Sequence, residues 1–181
     1  KASEKAAEKA AIQTFNNKIA TNIGEGDLEF ARELIKSASK VPDKVKASAL
    51  ERIAVVEKKA EKLADDVFKK HKVADSTNRN DFNGKVADGL MEDLEENAAA
   101  RKIFIRKARI LKEAQEETWD ANDIRALLDA GDLQKAAVKL TGMDITGKPK
   151  LLAIEKEIAT GTKKAKKIID DYDLLFTATG E

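Results

Sequence analysis

The sequence predicts an all-α protein, an elongated helical bundle of about five to seven helices with an internal duplication. Three observations predict it. Charged residues make up 37% of the chain and aromatic residues only 4%, and Ala, Glu, Lys and Leu dominate, which is the composition of long helices around a thin core. Apolar residues recur at steps of three and four, the helical period, and no stretch alternates as a half-buried strand does. Finally, the stripe Val45, Ala49, Ile53, Val56, Ala60, Leu63 and Val67 returns 105 residues later, from position 49 onward, as Ile154, Ile158, Gly161, Ala165, Ile168 and Tyr172.

Taken in order, Lys1 to Ile23 is Ala-rich and carries i,i+3 pairs such as Lys1 with Glu4. Its buried stripe begins only at Ile12, Phe15, Ile19 and Ile23, so the first ten residues should be helical but project. Gly24 to Gly26 breaks that helix, and Asp27 is placed to cap a second one over Leu28 to Ser39, closing a hairpin. Val41-Pro42 ends the hairpin, because the residue before proline avoids helical backbone. A long helix then runs from Val45 to His71. Ala74 to Gly84, dense in turn formers, reads as a polar loop.

Lys85 to about Trp119 reads as one central helix, with acidic MEDLEE, then RKIFIRKARILK carrying six cations, then acidic EAQEE. A turn is expected at Asp120 to Asp123, followed by a helix over Ile124 to Ala130, Gly131, and another over Asp132 to Leu140. Gly142 to Lys148 forms a second loop, and Pro149 opens the closing helix through Phe176. At an offset of 105 residues the identities include Asn17/Asn122, Ile19/Ile124, Gly26/Gly131, Asp27/Asp132, Leu28/Leu133, Ala31/Ala136, Ile53/Ile158 and Ala54/Ala159. The chain thus divides as a single helical domain over 1–181: a first repeat at 12–73, the polar loop and central helix at 74–116, and a second repeat at 117–181. Gly26-Asp27-Leu28 followed by Ala31, Ile35 and Ala38 resembles the turn and second helix of a tetratricopeptide unit. The first-helix residues and the roughly 34-residue period of that family are absent.

Composition also limits function. Thirty-four basic and thirty-three acidic residues leave a net charge of +1, so no global field draws the chain to nucleic acid or an anionic membrane. Without Cys there is no disulfide framework or thiolate chemistry. No run approaches the roughly 18 apolar residues of a membrane span, and no signal-peptide core is present. The chain begins at Lys1 rather than Met, the pattern of a fragment or processed product, and its compartment is not fixed by sequence.

No catalytic, cofactor-binding or metal-binding constellation emerges. Phosphate-cradling glycine loops are missing. His71 is the single histidine and lies on the stripe of Val67, opposite Phe176 in the repeat register; it reads as a half-buried or capping residue at a helix C-terminus. Asp65-Asp66 and Asp170-Asp171 have Lys at i±4 and read as a solvated, ion-paired face. RNDFNGKVADGL at Arg79 to Leu90 carries a trace of a calcium loop, yet Arg79 and Leu90 occupy its first and twelfth ligand places.

The expected function is therefore a non-enzymatic structural or interaction module that binds a macromolecular partner, as a cell-surface, virion-associated or adaptor protein. A protein partner is expected, on the polar surface Asn78, Arg79, Asn80, Asp81, Phe82 and Asn83, because loops held between rigid helices carry recognition. The alternative is nucleic-acid association through the basic strip Arg101, Lys102, Arg106, Lys107, Arg109 and Lys112. Pairing of those cations with the acids of neighbouring helices is favoured over phosphate contact, with Ile103, Phe104, Ile105, Ile110 and Leu111 assigned to the core.

Overall fold

A computed structural model describes the backbone of residues 2–178 and the side chains of residues 5–170. The expectations placed on Lys1, Glu4, Asp171, Tyr172 and Phe176 side chains lie outside the described residues. The protein is 84% helix with no strand among them. Seven α-helices follow in order: α1 (Ala2–Gly24), α2 (Leu28–Ser37), α3 (Asp43–Lys70), α4 (Arg79–Asp88), α5 (Ala98–Asp129), α6 (Leu133–Thr141) and α7 (Pro149–Ala178). A 3-10 turn at Val73–Asp75 precedes α4 and a π turn at Gly89–Asp93 follows it. The chain, read above as one domain, separates into two compact units, Lys1–Lys112 and Glu113–Glu181.

In the first unit, α1, α2 and α3 pack on one another through Phe15, Ile19, Leu28, Ala31, Ile35, Ala49 and Ile53, all buried. Residues 5–10 are helical and exposed. Further along α3, Ala60, Ala64 and Val67 are buried, and Phe68 meets Phe104 edge to face with ring centroids 5.2 Å apart. In the second unit the C-terminal part of α5, α6 and α7 close around Ala121, Ile124, Ala136, Leu140, Leu151, Ile154 and Ile158. Glu117 Oε1 accepts the backbone N–H of Lys150 at 2.7 Å, placing an acid at the α7 N-terminus where orphan donors and the helix dipole favour it.

Three expectations are corrected. Ala74–Gly84 is not a loop but the 3-10 turn and the start of α4, because Asn78 supplies a helix cap that overrides the weak propensities around it. The central helix from Lys85 to Trp119 is not continuous: α4 ends at Asp88 and α5 begins at Ala98. Gly89 is why the chain can fold close there, since a Cβ at that position would lie 2.9 Å from Phe104 Cζ and 3.1 Å from Val67 Cγ1. Asn97 then restarts the helix, its Oδ1 accepting the Ala100 N–H at 2.9 Å. The turn expected at Asp120–Asp123 is absent, since α5 runs to Asp129. Burial of Trp119, Ala121 and Ile124 outweighs the poor helix propensity of the neighbouring Asp and Asn residues.

Both Gly-Asp corners have the same backbone. Gly26 and Gly131 take φ +72° and +78°, a left-handed conformation that glycine adopts at no steric cost. The N–H groups of Gly26 and Asp27 donate to Ile23 and Asn22 carbonyls, and those of Gly131 and Asp132 to Leu128 and Leu127, 105 positions on.

Candidate functional site

The polar surface expected at Asn78–Asn83 is a helix start whose own side chains consume part of it. The Asp81 N–H donates to Asn78 Oδ1 at 3.0 Å, while Asp81 Oδ2 accepts the Thr77 N–H at 2.9 Å. Asn78 thus caps the helix, and Asp81 reaches back past it to the preceding residue. Lys85 Nζ joins Asp81 at 3.0 Å. The Thr77 amide first, and then Lys85, hold the Asp81 carboxyl below its ordinary value. Phe82, expected to offer an apolar contact to a partner, is buried: at that position it faces the inside of the first unit. Asn78, Arg79, Asn80 and Asn83 remain exposed.

The basic strip lies on the N-terminal part of α5, where it splits in two. Lys102 pairs with Asp27 and Lys107 with Asp65, and Arg106 Nη1 stands 4.0 Å from Glu29 Oε1. These contacts bring half of the strip onto the acids of α2, its corner and α3, as intramolecular pairing requires. Around them Gly26–Phe30, Glu57, Ala99 and Ile103 line a shallow hollow, beside which Arg32 is held by Glu57. Asp27 occupies the cap position of α2 but makes no side-chain capping bond, because its carboxylate is spent on Lys102. No ion pair holds Arg101, Arg109 or Lys112 among the described residues.

The hydrophobic residues between these cations divide likewise. Ile103 and Phe104 are buried, as expected. Ile105 and Ile110 are not core residues: they are 47% and 59% exposed, because the helix turns Ile105 to the side of Arg101 and Arg109 and Ile110 to the opposite flank, next to Arg106. The sequence reading missed this pair, although their spacing from Phe104 and Ala108 shows that one stripe cannot hold all five apolar residues.

At the far end of α3, His71 is the C-terminal cap residue and half-buried, as its position implied. Its Nε2 lies 2.6 Å from Asp93 Oδ2. Lys70 Nζ meets both Asp93 oxygens, at 2.7 and 2.8 Å. Asp93 is held below its ordinary pKa by Lys70 first and then His71, while Lys70 is raised by Asp93. With Glu92, His71 and Asp93 each bring one ligand atom within 4.8 Å of the others, so these three residues are where a divalent cation would be held. Lys70 already neutralises the shared carboxylate. The cluster ties the π turn to the end of α3, joining elements 22 residues apart.

No family model matches the sequence, and neither the curated proteins nor the solved structures give a match to it. No helix among the described residues is long and apolar enough to cross a membrane.

Proposed function

We propose that this chain is a non-enzymatic helical module that binds a macromolecular partner through the outward faces of its helices. The side of α5 that carries Ile105 supports this reading, because Ile105 is exposed in helical register with Arg101 and Arg109, cations that no acid holds among the described residues. Large apolar side chains interleaved with arginine suit a protein interface, where Arg anchors and apolar contacts concentrate binding energy. Arg79, Asn80 and Asn83 on the first turns of α4 offer a second, polar surface. Nucleic-acid association is the weaker reading, since three of the six cations of the strip already face Asp27, Glu29 and Asp65. The proposal includes an origin by duplication of the hairpin-plus-helix segments 17–67 and 122–172; the matched corner bonds and buried pairs Ile19/Ile124 and Ala31/Ala136 support it.

Photo-crosslinking residues placed singly at Ile105 and Asn80 test the module reading in extract of the source cells. Protein adducts from either position, lost when Arg101 and Arg109 become Glu or when Asn80 and Asn83 become Ala, are the expected result. Adducts with nucleic acid alone, weakened by salt as released counterions require, would transfer the function to the basic strip. The absence of adducts from both positions would sink the module reading.

A further inference from the structure

The apolar stripe of α7 starts buried and ends bare. Leu151, Ile154, Ile158, Gly161, Ala165 and Ile168 follow at steps of three, four, three, four and three, which is one face of a helix. Leu151 and Ile154 are fully buried and Ile158 nearly so. Gly161 still has a neighbour, Leu133 Cδ1 lying 3.7 Å from where its Cβ would stand. From residue 162 to 170 every side chain is exposed. Ile168 and Ile169 leave 69% and 60% of their surface open.

The long helix of the first unit shows what such a stripe ordinarily meets. Ala60, Ala64 and Val67 of α3 stand 105 positions before Ala165, Ile169 and Tyr172, and all three are buried. The chain that follows α3 covers them: the π turn brings Gly89 against Val67, Phe104 packs on Phe68, and Lys107 pairs with Asp65. On α7 the stripe has no such cover among the described residues, and its flanks are cationic. Lys164 and Lys166 flank it at the helical period, Lys163 and Lys167 lie on the back of the helix, and all four are exposed, with Asp170 the one acid between 162 and 170.

We infer that the Gly161–Asp170 face of α7 is a docking site for an acidic amphipathic helix, whose apolar row covers Ala165, Ile168 and Ile169 while its carboxylates meet Lys164 and Lys166 on the two flanks. This inference rests on the reading of the chain as an interaction module and supplies the partner's chemistry. Charge complementarity selects the occupant. A second copy of the same face would set lysines against lysines, which opposes association. A phosphate backbone would engage the lysines but leave the isoleucines in water, and a lipid surface, which Tyr172 and Phe176 of the sequence would suit, is separated by the vesicle arm of the test. Helix-in-groove recognition reads i, i+3 and i+4 anchors, and the bare stripe presents Ala165, Ile168 and Ile169 at that spacing.

The test uses the full chain and a fluorescein-labelled synthetic helix with Leu at i, i+3, i+4 and i+7 and Glu on both flanks. Anisotropy should report binding that weakens about tenfold or more for Ile168→Glu and for Lys164→Glu with Lys166→Glu, losses typical of anchor residues. A peptide with Lys in place of Glu should not bind. Because the substituted side chains are exposed, circular dichroism of each variant should match the parent. Binding insensitive to both variants overturns the assignment, as does failure to bind the peptide, whether or not phosphatidylserine vesicles or duplex DNA bind instead. If the peptide fails while crosslinks form at Ile105 or Asn80, only this docking site is wrong; if both fail, the module reading falls with it.

Discussion

Gly26 and Gly131 sit at corners with matching backbone, yet only one corner is covered. A Cβ on Gly26 would lie 2.6 Å from the carbonyl carbon of Ala98 and from the nitrogen of Ala99, whereas a Cβ on Gly131 would meet nothing within 4 Å. The first glycine is required twice, for its dihedral and for the space it leaves. The second is required for its dihedral alone. The acids beside them diverge in the same sense: Asp27 reaches Lys102 on α5, while Asp132 turns inward to cap its own helix, accepting the Lys135 N–H at 3.2 Å. One corner is a joint between distant segments; the other is a local turn.

Substitution at the two glycines should break this comparison most visibly. Gly26→Ala adds backbone overlap, which no rotamer change relieves and which costs about 1–3 kcal/mol, to the roughly 1–2 kcal/mol cost of a left-handed alanine, for a total of about 2–5 kcal/mol. Gly131→Ala should incur only about 1–2 kcal/mol. Urea unfolding of both variants checks the difference; equal losses would mean that the cover over Gly26 adds nothing.

Next come the buried anchors behind each corner. Ile19 and Ile124 are both fully buried, so Ile19→Ala and Ile124→Ala should each destabilise by about 2–5 kcal/mol. Similar losses would localise the asymmetry to the corners, and a much smaller loss at Ile124 would show that the second unit is loosely packed throughout. The same reasoning applies to the Asn78–Asn83 segment. Replacing it by a Gly-Ser linker should lower the melting temperature clearly, since removing buried Phe82 alone resembles a Phe→Ala loss of about 3–5 kcal/mol.

The smallest effects are electrostatic. Asp132 is held below its ordinary pKa by Lys135, through its ammonium and then its backbone amide. A carboxyl depressed in the folded state stabilises it fully above the unfolded value near 3.9, and that contribution is lost as pH falls through the folded value. Asp132→Ala should therefore lower the melting temperature slightly at pH 7 and make less difference below about pH 3. Asp93 follows the same sign in the first unit, with Lys70 and His71 as causes, and Asp93→Asn should flatten the acid limb of its melting curve. Thermal melts from pH 2 to 7 separate the two.

Helical period was enough to place α1, α2, α3, α6 and α7, because each buries one face and Gly26, Pro42, Gly131 and Pro149 punctuate them. The middle of the chain was harder to read. Asn78 and Asn97 looked like a loop former and an indifferent helix residue, yet each is a cap whose value depends on the amide it meets two or three residues on. Trp119 and Ile124 kept α5 intact across a stretch whose local chemistry favours a turn. Among the candidate sites, the basic strip was legible as a charge run, but which cations find acids depends on tertiary neighbours such as Asp27 and Asp65, distant in sequence. The exposure of Ile105 and Ile110 was open to a stricter count of helical phase.

The cover over Gly26 also bears on the order of events as the chain folds. Joining Asp27 to Lys102 closes a span of 75 residues, while the Glu117 carboxylate reaches the Lys150 amide across 33. Longer spans cost more entropy to close, and non-local contacts slow folding. The second unit should therefore gain amide protection first in pulsed hydrogen exchange, and the Gly26 joint last, so that the corner most damaged by an added methyl group is the one that closes latest.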